Sequence, residues 1–138
     1  MFVKSAFTFC SLLFLVSCSD NASITIYEKN LPKESISCIQ LILFPPNEKI
    51  KNTLEKLYDF DENCNIKMEV STKSGITCNS NQNYQIKAVG SFPTSYLKMQ
   101  VNDGSKIVYS YYIDLLNEVT QEDVRSAFSR VRDDLDIR

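Results

Sequence analysis

Asn102-Asp103-Gly104 stands between two runs in which apolar and polar residues alternate, Leu97-Lys98-Met99-Gln100-Val101 before it and Ile107-Val108-Tyr109-Ser110-Tyr111 after it. An Asp-Gly step between such runs is a strong hairpin signal, because these residues accept the positive φ of a tight turn at little cost. This part of the chain is thereby committed to antiparallel pairing. A two-residue turn at Asp103-Gly104 would set Met99 against Val108, but Val101 against Lys106 and Leu97 against Ser110. A three-residue loop with a left-handed Gly104 and a bulge sets Met99 against Ile107 and Leu97 against Tyr109. Apolar meets apolar in the second arrangement, which is the register expected, with the second strand running to about Leu115.

The elements around the hairpin follow from their periods. Ile24 and Ile26 alternate with Thr25 and Tyr27 as an opening strand does. Ile36 to Phe44 is almost continuously apolar and β-branched until Pro45-Pro46 stops it, which reads as a central strand buried on both faces. Ile50, Leu54, Leu57 and Tyr58 then fall on one stripe of a helix at about 47–59, with Asn47 as its N-cap. Ile66, Met68 and Val70 alternate with Lys67 and Glu69 in a half-exposed strand that ends in a turn around Lys73-Ser74-Gly75, and Tyr84, Ile86 and Ala88 repeat that period. Asn79–Asn83 reads as a loop. Thr120 and Asp123 form the two ends of a capping box with Asp in place of Glu, opening a helix at about 120–135 whose Val124, Phe128, Val131 and Leu135 line one side. The fold class expected is α+β, a small, mainly antiparallel sheet or sandwich-like domain with two packed amphipathic helices. Leu54, Leu57, Phe128 and Val131 should lie in its core.

Composition narrows the function by exclusion. The chain contains no histidine. Ser-His-Asp and Cys-His catalysis, His-ligated zinc and imidazole proton relays are therefore closed to it, and the expectation is a protein that is not an enzyme, with no cofactor and no small-molecule substrate. A net charge of −2 supplies no basic footprint, so no nucleic-acid partner is expected either.

The N-terminus carries one positive charge at Lys4, an apolar run from Ala6 to Val16, and then Ser17-Cys18. That is the outline of a signal peptide, and a run of this length falls well short of the roughly 20 residues a helix needs to span a bilayer. Leu15-Val16-Ser17-Cys18 resembles the lipobox of bacterial lipoproteins. The resemblance implies that residues 1–17 are a signal peptide removed on export and that Cys18 is lipidated. It implies further that 18–23 is a lipidated tether and that 24–138 forms a single globular domain. Acyl chains on one Cys would make attachment effectively permanent. In bacteria that follow the enterobacterial sorting rule, Asp directly after the lipidated Cys retains the protein in the inner membrane. Ser19 stands there, so the rule implies an outer-membrane lipid anchor with the domain facing the periplasm. The tether from Ser19 to Ser23 covers under roughly 20 Å, which keeps the domain close to the bilayer.

Cys38, Cys64 and Cys78 remain once Cys10 and Cys18 are assigned to the leader and the anchor. In an oxidising compartment one disulfide and one odd thiol are expected. Cys64–Cys78 is the favoured pair, closing a short loop across the turn at Lys73-Ser74-Gly75 and stabilising by about 3 kcal/mol, although that turn sets Met68 rather than Cys64 opposite Cys78. Cys38–Cys78 comes next, followed by Cys38–Cys64 or no bridge. Three thiolates without a CxxC spacing do not make a metal site. Asp59, Asp61 and Asn63 imitate the first ligands of a calcium loop, but Cys64 stands where Gly is required and Val70 where Glu is required, so a solvated helix end is the better reading.

Seven tyrosines complete the candidates. Alternation sends Tyr109 and Tyr111 to one face and Tyr112 to the other, and tyrosines favour both strands and protein interfaces. Tyr112 and Tyr96 are the partner-binding candidates. Two functions fit these features. The first is an anchored accessory or scaffold subunit of an envelope assembly of the secretion-system or pilus type, holding an envelope protein partner. Small lipidated β-rich domains such as the outer-membrane lipoprotein of type VI secretion and various pilotins are similar in lipobox and general plan. The second is an inhibitor or immunity lipoprotein that blocks an incoming enzyme or toxin, with the Asn79–Asn83 loop as the blocking element.

Overall fold

A computed structural model describes residues 21–27, 36–77 and 92–138 of the chain. Five strands and two helices occur among the described residues. They are β1 (Ser23–Ile26), β2 (Gln40–Phe44), α1 (Glu48–Glu55), β3 (Ile66–Lys73), β4 (Ser95–Asp103), β5 (Lys106–Leu115) and α2 (Gln121–Leu135). The strands form one sheet in the order β1-β5-β4-β3-β2. β1–β5, β5–β4 and β4–β3 are antiparallel, and β2–β3 is parallel. Parallel neighbours require a crossover rather than a hairpin, and α1 supplies it between β2 and β3. The domain is α+β, with a mixed, mostly antiparallel sheet and two helices.

Local chemistry starts both helices where the sequence places them. The Asn47 side chain accepts from the backbone N–H groups of Lys49 and Ile50 at 3.0 and 3.2 Å, satisfying two donors that a helix start leaves open. At α2 the Thr120 hydroxyl accepts from Asp123 N–H at 3.2 Å while the Asp123 carboxylate accepts from Thr120 N–H at 2.8 Å, so the capping box forms with Asp in the place of Glu. α1 is shorter than its apolar stripe suggests. It ends at Glu55, and Leu57 and Tyr58 both donate backbone N–H groups back to Leu54 in a terminal turn. Asp136 closes α2 in the left-handed conformation (φ 51°), with Ile137 N–H donating to the Arg132 carbonyl at 3.0 Å.

Both helices lie on one face of the sheet. Leu54 of α1 and Val124, Ala127, Phe128 and Val131 of α2 pack with Met68 and Val70 of β3, Leu97, Met99 and Val101 of β4, and Tyr109 and Tyr111 of β5 in one buried cluster. Leu57 is partly buried at its margin, so the expected core residues are in place. The Phe128 ring lies 6.0 Å from Phe60 and 6.2 Å from Tyr58, so the segment after α1 packs against the core-facing stripe of α2. Tyr109 is fully buried yet satisfied, its hydroxyl donating to the Asp134 carboxylate at 2.8 Å. Arg130, one turn earlier on α2, donates to the same carboxylate at 3.0 Å, and the Tyr109–Asp134 bond ties α2 to β5 by a polar contact as well as by apolar ones.

Three expectations are corrected by the tertiary structure. The run Ile36–Phe44 is not a central strand. Only Gln40–Phe44 is extended in the sheet, and it lies at the sheet's end, paired on one side with β3. Its apolar character on both faces arises because Leu41 and Leu43 turn toward α1 while Ile42 and Phe44 cap the rim of the other face. The hairpin register also differs. Asp103 pairs with Lys106 across a two-residue Gly104-Ser105 turn, and a bulge at Val108 then brings Val101 opposite Tyr109, Met99 opposite Tyr111 and Leu97 opposite Ile113. Gly104 does take the left-handed conformation (φ 59°), but as the first residue of a two-residue turn rather than as the last of a three-residue loop. The expected and observed pairings differ by four residues along β5 and keep Tyr109 and Tyr111 on the core face, because the side-chain period of a strand is two, whereas Ile107, on the turn side of the bulge, pairs with Asn102 instead of Met99 and is exposed. Alternation therefore selects the face and leaves the choice among even shifts to the turn.

The third correction concerns the cysteines. Cys38 and Cys64 form the disulfide, with sulfurs 2.00 Å and Cα atoms 5.8 Å apart, and not the favoured Cys64–Cys78 pair. Gly75 adopts φ +70°, but the chain does not reverse there: Ile76 N–H donates to the Thr94 carbonyl at 2.8 Å, and β3 pairs with β4. The hairpin that would have joined Cys64 to Cys78 is thus absent from this position, while the parallel β2–β3 register carries Cys38 alongside the residues that precede β3. Cys78, Tyr84, Ile86, Ala88 and the Asn79–Asn83 loop lie outside the described residues, as does Cys18.

Candidate interaction site

The face of the sheet opposite the helices is built from the alternate residues of the same strands. Three ranks cross it. Phe44, Ser71, Lys98, Tyr112 and Ser23 form the central one; Lys73, Tyr96 and Asp114 form the next; Ile42, Glu69, Gln100, Ser110 and Thr25 form the third. Neighbouring strands lie about 4.8 Å apart, so side chains within a rank touch and those of adjacent ranks reach each other diagonally.

Tyr96 and Tyr112 are diagonal neighbours on β4 and β5, and their rings stack with centroids 5.5 Å apart and planes inclined by 29°. Both candidate residues therefore belong to one feature, a two-ring platform set in a polar surround. The Tyr112 hydroxyl donates to the Asp114 carboxylate at 2.8 Å. That bond, with lesser help from burial and from the Asp114 charge, raises the Tyr112 phenol above its ordinary range, so the ring stays neutral and its orientation is held. Lys98 stands directly opposite Tyr112 on β4, and Lys73 directly opposite Tyr96 on β3. The platform is thus flanked by two ammonium groups on one side and one carboxylate on the other.

Aromatic area held at low entropic cost, with charges at its margin, is the composition of a protein-binding surface. The three ranks hold Glu69, Lys73, Lys98 and Asp114 interspersed with Ser, Thr and Gln. The Asp59–Asn63 segment is placed elsewhere, and its chemistry is local: the Asp61 carboxylate accepts from Asn63 N–H at 2.8 Å, and the Asp61 backbone N–H donates to the Ile39 carbonyl at 2.9 Å. Asp61 thereby docks the start of the β2 segment beside the disulfide. Among the described residues no group of three or more metal-ligating side chains converges.

Asp114, Lys98 and Lys73 were not candidates on sequence grounds. The period-2 rule assigns Asp114 to the face of Tyr112, and that signal was legible; that Tyr96 would stand beside Tyr112 depends on the β4–β5 register and was not. No protein-family model matches the chain, and no curated protein or solved structure matches it.

Proposed function

We propose that this protein is a lipoprotein anchored through Cys18 in the outer membrane, facing the periplasm, and that it is a non-enzymatic accessory or scaffold subunit of an envelope assembly of the secretion-system or pilus type. Its partner is an envelope protein, bound on the open sheet face around Tyr96 and Tyr112. The observation that carries this reading is the stacked tyrosine pair on the sheet face that no helix covers among the described residues, next to Ser23 of β1, the strand into which the short stretch from Cys18 leads. A surface so close to the anchor would meet proteins that themselves sit at the membrane. The lipobox supports the anchor, and the lack of histidine supports a binding rather than a catalytic role.

Two measurements test it. Cys18→Ser should abolish acyl labelling and leave the protein unprocessed or soluble; continued labelling overturns the anchor. Recovery of crosslinked membrane partners should yield structural envelope proteins and should fall in Tyr112→Ala. Recovery of a secreted toxin or hydrolase instead would assign the protein to inhibition.

A further inference from the structure

β2 is the outermost strand on the side of the sheet remote from β1, about four strand spacings or roughly 19 Å away from it. An outermost strand keeps one row of backbone N–H and C=O groups unpaired by its sheet, and natural proteins protect such rows with Lys, with charges pointing inward, with bulges or with cover. Gln40-Leu41-Ile42-Leu43-Phe44 carries no charge at all, and Phe44 is 74% exposed. No other strand among the described residues pairs with its outer side. Brevity and the Pro45-Pro46 stop are the only protection visible in it.

Beside this edge, on the helix side, lies a groove of about 320 Å³ whose floor is Leu41, Leu43 and Phe60. Its rim is acidic. Lys51 is engaged by Glu55 at 3.9 Å, which leaves Glu48 and Glu62 without an ion-pair partner among the described residues. A strand laid along β2 would place alternate side chains over this floor and the others over Ile42 and Phe44. Side chains over the floor would emerge between Glu48 and Glu62.

We infer that the β2 edge and its groove form a strand-addition site for an extended partner segment in which apolar residues alternate with Lys or Arg. Main-chain hydrogen bonds to β2 supply affinity and the Glu48–Glu62 rim supplies selection for basic side chains. The inference goes beyond the open-face reading above, since it assigns a separate contact site at the edge of the sheet. It is independent of the lipid anchor.

Because the chain contains no tryptophan, a single Trp reports one place. Phe44→Trp puts the reporter on the exposed rim of β2, and Tyr112→Trp puts a second on the open face in a separate protein. The probe is a heptapeptide of alternating Lys and Val, added to the full chain in detergent, with an alternating Glu-Val peptide as comparison. The Lys-Val peptide should change Phe44→Trp emission saturably and leave Tyr112→Trp unchanged, and the Glu-Val peptide should bind at least about tenfold more weakly. Glu48→Lys with Glu62→Lys, both exposed positions, should reverse that preference. Equal responses to the two peptides, no response to either, or a response confined to Tyr112→Trp overturns the β2 site. Acyl labelling of Cys18 is read separately, so loss of the anchor and loss of the site are told apart.

Discussion

The face of the sheet beneath α1 and α2 carries Met68, Val70, Leu97, Met99, Val101 and Tyr109, each at most 2% exposed, whereas the opposite face of the same strands carries Lys67, Glu69, Lys98, Gln100 and Tyr112. Each face also holds tyrosines, and these behave differently. Tyr109 is enclosed, and burial followed by its bond to Asp134 pushes its phenol far up. Tyr112 is half-buried, stacks on Tyr96 and bonds to a neighbour two residues along its own strand. Identical side chains thus lie in the core on one side and on the polar face of the sheet on the other. What separates them is whether a helix covers them, not their chemistry.

The largest effect should come from opening the covered face. Phe128 is 1% exposed and packs against both Tyr58 and Phe60, so Phe128→Ala is expected to cost about 3–5 kcal/mol in denaturant unfolding, a large share of the stability of a domain this size. An intact Phe128→Ala protein beside an unfolded Tyr112→Ala protein would mean that the two faces have been assigned the wrong way round.

Next comes the covalent tie at the end of β2. Cys38 and Cys64 are 26 residues apart, and on the chain-entropy account replacing both with Ala should remove about 3 kcal/mol. Hydrogen exchange should locate the loss: the amides of Gln40–Phe44, which have one partner strand among the described residues, should lose protection before those of β4.

Tyr109→Phe keeps the ring and deletes the bond to Asp134. The expected cost is about 1–2 kcal/mol, since Arg130 still holds the carboxylate. The same residue sets an alkaline limit. In the folded protein Tyr109 and Tyr112 hold their protons to higher pH than free phenols, which ionise near 10.0. The native state therefore binds more protons than the unfolded chain above that value, and stability that is fully present below pH 10 should fall as pH rises further. Urea midpoints measured across that range should decline less steeply in Tyr109→Phe than in the parent.

The smallest effect on stability belongs to the open face. Tyr112→Ala should shift the unfolding free energy by only about 0.5 kcal/mol while reducing recovery of the partner, as loss of an interface anchor does. A stability loss as large as that of Phe128→Ala would place Tyr112 in the core.

Residue chemistry alone determined the starts of both helices, because Asn47, Thr120 and Asp123 satisfy backbone donors within three residues of themselves. It likewise determined which side chains share a face in β3, in β4 and in β5 beyond its bulge. Alternation sends Tyr109 and Tyr111 inward and Tyr112 outward under any register that differs by an even shift, and the α2 stripe at Val124, Phe128 and Val131 finds the inward set. Three features were left to the tertiary structure, each for the same reason: they depend on contacts between segments distant along the chain. The stretch Gln40–Phe44 is apolar on both faces as a central strand would be, and only the strand order makes it an edge. The apposition of Tyr96 with Tyr112 required the Gly104-Ser105 turn and the Val108 bulge to choose among registers that pattern leaves equivalent. The choice of Cys38 for Cys64 required the parallel β2–β3 pairing, which no local signal around either cysteine encodes, because a crossover through α1 brings them together.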